Sequence, residues 1–200
     1  AIIKQRIVSK DLGRVLTVYG RRNMSKAFQD QYSHSNRLFT TGVHDIDLIL
    51  WLYEGLRPVE VYLKTINAQG KGDDVFWGII TMENGSLGIL ETNWSLPEAT
   101  PWRGHIKLDV IGTEGAALSE IPGAGLTFWT DKAVEVQDTS YWPVVHGQTS
   151  GALRAAFEYF IHCITQDQPI TIPHPEDAYQ TIRVAHALLD SAQQGKPVSL

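Results

Sequence analysis

Apolar residues recur with helical spacing at both ends of the chain and around residues 43–53, and alternate with a period of two between them. Residues 2–11 read as the tail of a helix that stops at Leu12-Gly13, a glycine C-cap. Arg14 to Gly20, rich in β-branched and aromatic residues, predicts a strand that delivers Arg21, Arg22 and Asn23 at its end. Ser25 to Asn36 is polar and irregular, a surface loop that can border a pocket. From Val43 to Tyr53 only His44, Asp45 and Asp47 are polar, so a helix there is apolar on nearly every side and must be buried; Gly55 and Pro58 close it.

Val59 to Ala68, Val75 to Glu83 and Ser86 to Ser95 then alternate, with Asn84-Gly85 as the hairpin turn between the last two, which predicts an antiparallel meander. Pro97 to Gly104 interrupts it. His105 to Gly112 is a further strand, followed by a Thr113-Glu-Gly turn and short strands near Ala117, Leu126 and Val134, roughly eight strands in all. Tyr141-Trp142-Pro143 and His146 to Ser150 form a second loop. Leu153, Ala156, Phe157, Phe160, Ile161 and Ile164 make the apolar stripe of a helix capped by Ser150. Pro175-Glu-Asp opens the last helix, whose seam is expected at Ala178, Ile182, Ala185, Leu189 and Ala192 and which ends at Gly195 and Pro197.

Helices outside and strands between predict an α+β fold, a large sheet covered by helices on one face. Val75, Trp77 and Ile79 are as apolar as Phe76, Ile80 and Met82 on the opposite side, so the open face is expected to pack against a second copy or a partner domain.

Size and charge narrow the class. Two hundred residues, 43% apolar and 20% charged, fit a single domain over residues 1–200. A net charge of -5 with mixed signs offers no basic stripe for nucleic acid or anionic membrane. The single cysteine, Cys163, lies in a helical apolar pattern and reads as a buried, inert thiol. No apolar run approaches the ~20 residues of a membrane span and no signal peptide opens the chain, so a cytoplasmic protein is expected. The start, already in helical periodicity with neither initiator Met nor cap, reads as that of a fragment.

The chemistry concentrates at Thr40 to Gly55. At about 100° per residue His44, Asp47, Leu48 and Trp51 share one face, beside that of Val43, Ile46, Leu50 and Tyr53. His44, Asp45 and Asp47 fall in what the pattern marks as the first turn, where unpaired N–H groups and the dipole disfavour an imidazolium. A histidine kept neutral there is a proton acceptor; a satisfied core or capping histidine is the structural alternative. Asp47 reads as a hydrogen-bonding partner near the helix start and Trp94 as a core residue. His-Asp-x-Asp lacks the further ligands a metal needs, so no metal site is expected. Gly70-Lys-Gly72 lacks the third glycine and following helix of a dinucleotide loop, and no nucleophile elbow, Walker sequence or His-Glu-x-x-His occurs.

Together these segments resemble the C-terminal domain of the Gfo/Idh/MocA family of NAD(P)-dependent oxidoreductases. The similarity runs over nearly the whole chain: Ile3-Lys4 to Leu12-Gly13, the strand ending in Arg22-Asn23, and Gly42-Val-His-Asp-Ile-Asp47 with Trp51. It continues through Glu91-Thr-Asn-Trp94, Ile111-Gly-Thr-Glu-Gly115, the Phe157 to Ile164 helix, Pro175-Glu-Asp-Ala178, Leu188-Leu-Asp-Ser191 and Gly195-Lys-Pro-Val198.

The resemblance implies a large, mostly antiparallel open sheet of the dihydrodipicolinate-reductase-like C-terminal type, which binds substrate and oligomerises. It implies a Rossmann domain outside this chain that binds most of the NAD or NADP. It also implies hydride transfer from the CH–OH of a sugar, polyol or related hydroxy compound, with this domain inactive alone. His44 matches the family's catalytic histidine. Thr40 stands where many members have Asp and can orient a hydroxyl but not take up a proton. Lys196-Pro197 is a helix exit, not the lysine the family draws from its nucleotide domain. Arg22, Asn23, Thr40 and Tyr141 are the expected substrate contacts. A non-catalytic sugar-binding or assembly subunit is the alternative, and a free-standing ligand-binding module a third reading.

Overall fold

The protein, described by a computed structural model, is defined at all residues except 33, 69–71, 101, 122–125, 131, 133, 137–138 and 140–141. Its elements are α1 (Ile2–Val8), β1 (Val15–Ser25), α2 (Phe28–Gln31), a π-helical turn (Leu38–Gly42) and α3 (Val43–Leu52). β2 (Pro58–Ile66), β3 (Val75–Met82), β4 (Leu87–Leu96), β5 (Gly104–Gly112) and β6 (Ala116–Ile121) follow. Next come β7 (Thr127–Trp129), β8 (Val134–Val136), β9 (Val144–Val145) and β10 (Gln148–Thr149). The chain closes with α4 (Ala152–Thr165), α5 (Pro175–Gln194) and β11 (Val198–Ser199). The backbone divides into two compact units, residues 1–121 with 176–200, and residues 122–175.

The first unit holds a seven-stranded sheet in the order β11-β2-β3-β4-β1-β5-β6. Every pairing is antiparallel except one: β1 lies parallel to β4, inserted between the β2–β4 meander and the β5–β6 hairpin. The fold is therefore α+β with a large, mostly antiparallel sheet. Alternation assigns its two faces. Val18, Leu63, Phe76, Ile80, Leu90 and Val110 point inward and pack with Ile46 and Ile49 of α3 and Val184 and Leu188 of α5, all fully buried. The opposite face carries Tyr19, Trp77 and Ile79, with Trp77 48% and Ile79 42% exposed and the rings of Tyr19 and Trp77 stacked at 6.3 Å.

Several expectations shift. β1 runs on to Ser25, so Arg22 and Asn23 lie within the strand, not at its end. The loop after it contains α2, and eleven strands occur among the described residues against the roughly eight expected, the extra ones being the two-residue strands β9, β10 and β11. The buried stripe of α5 comprises Thr181, Val184, Ala185, Ala187, Leu188 and Ser191, so Ile182 is exposed. The expected seam followed apolar residues alone; Thr181 and Ser191 are buried because their hydroxyls have partners, Asp47 Oδ1 at 3.2 Å for Thr181 and the Lys196 carbonyl at 2.7 Å for Ser191.

The second unit contains the β7–β8 and β9–β10 pairs and α4. Cys163 is buried there as a free thiol. Gly151, at φ 94°, is the residue before α4 and no side chain caps it, so Ser150 does not serve as the cap. Among the described residues no helix is long and apolar enough to cross a membrane.

Candidate functional site

On the helix-covered face, Gly20 and Arg22 of β1 lie beneath α3. A methyl group on Gly20 would stand 2.9 Å from the Asp45 Cβ, so the missing side chain is what admits α3 to the sheet at this point. Asp45, 1% exposed, then receives the guanidinium of Arg22 in a fork: Nε donates to Oδ2 at 2.8 Å and Nη2 to Oδ1 at 3.1 Å. The next side chain back along the helix, His44, is exposed. Desolvation by the surrounding protein and then the Arg22 charge hold its imidazole below the ordinary range, against opposing pulls from Asp45 and Asp47. Burial pushes the Asp45 carboxyl upward, with the Arg22 guanidinium pulling the other way.

The cause of the neutral imidazole differs from the one expected. α3 has no free N-terminus at His44, because the π turn runs into it without a break and the Val43 N–H already donates to the Leu38 carbonyl. The dipole argument therefore applies some five residues earlier, near Arg37. Thr40 lies in the π turn one position ahead of Thr41, and its hydroxyl donates to the Asn36 carbonyl at 3.1 Å. Asp47 accepts from Thr181 of α5 at 3.2 Å, a structural tie between the two helices.

Asn23 is placed elsewhere. Adjacent strand residues point to opposite faces, so Arg22 and Asn23 cannot serve one pocket. Asn23 is 6% exposed on the open-face side, where its Nδ2 donates to Glu91 Oε1 at 2.6 Å. The Tyr19 hydroxyl and the Arg21 Nε, the latter at 3.0 Å, also donate to Glu91. Burial alone would raise the Glu91 carboxyl, but donation from Asn23, Tyr19 and Arg21 brings it below the usual carboxylate range. Burial and the same carboxylate push the Tyr19 phenol up to about 12. This cluster was not foreseen, although the parity of Tyr19, Arg21 and Asn23 places all three on one face in the sequence itself.

Tyr141 lies outside the described residues. Trp94 is a core residue, 1% exposed, with its indole N–H donated to Thr41 Oγ1 at 3.1 Å. Among the described residues no three His, Cys, Asp or Glu side chains gather as a metal site would require. The candidate site thus brings together exposed His44, the buried Asp45 carboxylate held by part-buried Arg22, and Thr40 one helical turn before His44.

Solved structures share this fold. GenD2 from gentamicin A biosynthesis, in complex with NAD, superposes with a TM-score of 0.79 at 19% identity, covering 100% of this chain and 59% of that one. Scyllo-inositol dehydrogenase from Lactobacillus casei with bound NAD(H) and scyllo-inositol gives 0.72 at 16% identity over 99% of this chain and 60% of that one. Myo-inositol 2-dehydrogenase from Lactobacillus plantarum gives 0.68 at 18% identity, over 100% and 60%. The chain spans about three fifths of the length of each. No curated protein matches it by sequence. Residues 4–200 match the family described as "Oxidoreductase family, C-terminal alpha/beta domain". On that match, and on the sheet and helices just described, the chain belongs to the Gfo/Idh/MocA oxidoreductases as their C-terminal α/β domain.

Proposed function

We propose that this chain is the substrate-binding and oligomerisation domain of a NAD(P)-dependent dehydrogenase acting on CH–OH groups of a sugar or polyol, with His44 as the proton acceptor. The observation that carries the reading is the exposed imidazole of His44 on α3, next to an Asp45 carboxylate that is buried and gripped by the Arg22 guanidinium. Oxidising a secondary alcohol removes a hydride from carbon and a proton from oxygen, and the proton needs an acceptor within hydrogen-bond reach. His44 takes that proton. Arg22 contributes its charge, since two of its donors are engaged by Asp45. Thr40 lies in the turn leading into the same helix and contributes a hydroxyl oxygen able to accept a further hydrogen bond.

The nicotinamide ring, when bound, supplies the hydride acceptor. The first amides of the π turn, those of Leu38, Phe39 and Thr40, all donate to Asn36, so the start of the helix that carries His44 offers no phosphate cradle, in keeping with a dinucleotide held by another domain. Two of the structures matched at 16–19% identity are described with NAD or NAD(H), and one of these with scyllo-inositol, in agreement with that substrate class.

Replacing His44 by Asn in the full-length oxidoreductase tests the role. Loss of a general base lowers kcat by about 10²-fold or more. Unchanged turnover removes His44 from the mechanism. A wild-type protein with no turnover on any polyol favours a non-catalytic sugar-binding or assembly subunit, a second reading supported by the absence of a carboxylate at Thr40.

A further inference from the structure

The π turn ahead of α3 is tied down by a buried hydrogen-bond chain that no step of the proposed reaction uses. Trp94, Thr41 and Thr92 are 1%, 8% and 0% exposed. The Trp94 indole N–H donates to Thr41 Oγ1 at 3.1 Å, Thr41 Oγ1 lies 3.1 Å from Thr92 Oγ1, and Thr92 Oγ1 donates to the Arg22 carbonyl at 2.8 Å. Thr41 Oγ1 also lies 2.9 Å from the Arg37 carbonyl, four residues back. An indole nitrogen only donates and a carbonyl only accepts, so the two ends of the chain have a fixed direction, while either hydroxyl can donate across the Thr41–Thr92 link. Trp94 donates to Thr41, Thr41 to the Arg37 carbonyl and Thr92 to the Arg22 carbonyl, and the two hydroxyls lie within hydrogen-bond distance of each other.

The chain therefore joins the π turn to β4 and to the backbone of Arg22, whose side chain grips Asp45 next to His44. Gly42 permits the approach: a Cβ there would meet Leu38 Cδ1 at 2.7 Å and Thr92 Cγ2 at 3.4 Å. A π turn accommodates one residue more per hydrogen-bonded ring than an α turn. Collapse of the turn to α geometry would rotate Thr40 relative to His44 by on the order of 100°.

We propose that Thr41 and Thr92, oriented by Trp94, are positioning residues for the dehydrogenase reaction: they hold the π turn that sets the direction of Thr40 and His44 relative to each other. The inference rests on His44 being the base. Its test is Thr41→Val in the full-length oxidoreductase, a near-isosteric change that removes only the hydroxyl, with Thr41→Ser, Thr92→Val and His44→Asn measured alongside. A misplaced base lowers kcat by ten- to a hundredfold while KM for the dinucleotide stays put, and Thr41→Ser restores the rate. Should Thr41→Val fail to fold, Thr92→Val, which suits a strand position and cuts the same chain, carries the measurement. If His44→Asn abolishes turnover while the folded valine variant keeps wild-type kcat, or if serine fails to rescue it, the positioning role is overturned. If His44→Asn itself leaves turnover intact, the base assignment falls first.

Discussion

His44 and Asp45 are neighbours in sequence with opposite fates. Asp45 is withdrawn into the protein and bound by a guanidinium, whereas His44 remains exposed and is kept neutral by desolvation and by that same guanidinium. The sign of the resulting pH dependence is fixed. An imidazole whose folded pKa lies below its ordinary 6.5 is already deprotonated at neutral pH, so kcat/KM for alcohol oxidation falls only as pH drops through that lower value. The pH–rate profile is expected to show an acid limb with its midpoint below 6.5 and a plateau at neutrality, and a midpoint above 6.5 would contradict the assignment. The candidacy of His44 was readable from residue types alone. The Arg22–Asp45 fork was not, because it joins residues 23 positions apart and depends on how a strand and a helix dock. Asn23 was misplaced for a simpler reason: strand parity was available in the sequence and points it away from Arg22.

At the scale of elements, local pattern identified α3, α5 and the β2–β4 meander with boundaries within a few residues. The π turn escaped because apolar spacing over five residues does not distinguish it from α. Also illegible was the place of β1, since strand order arises from long-range pairing and not from alternation within a strand. The contact between β1 and α3 has a measurable consequence. Gly20→Ala would drive a methyl group into Asp45, and overpacking of this kind costs about 1–3 kcal/mol, with α3 displaced along with His44. Urea unfolding of the variant is expected to show a lowered midpoint together with reduced turnover. A variant as stable and active as the parent would mean that helix and strand are not in such close apposition.

For the whole molecule, the family match over residues 4–200 and the shared fold account for a sheet whose inward face is sealed by helices. Its other face mixes exposed Trp77 and Ile79 with the Glu91 cluster, a surface we propose to be covered by a second copy in solution. Light scattering after size exclusion is expected to give an oligomer that Ile79→Lys reduces to monomer while leaving secondary structure intact. A wild-type monomer at high micromolar concentration would sink that proposal. The parallel pairing of β1 also bears on the order of assembly. Thr17 aligns with Leu87 and Gly112 with Val15, so during synthesis β1 leaves the ribosome well before either of the strands that flank it. It must wait, both edges unpaired, until some 70 to 100 further residues have emerged, and closing so long a loop makes the middle of the sheet the slow, aggregation-sensitive step in folding.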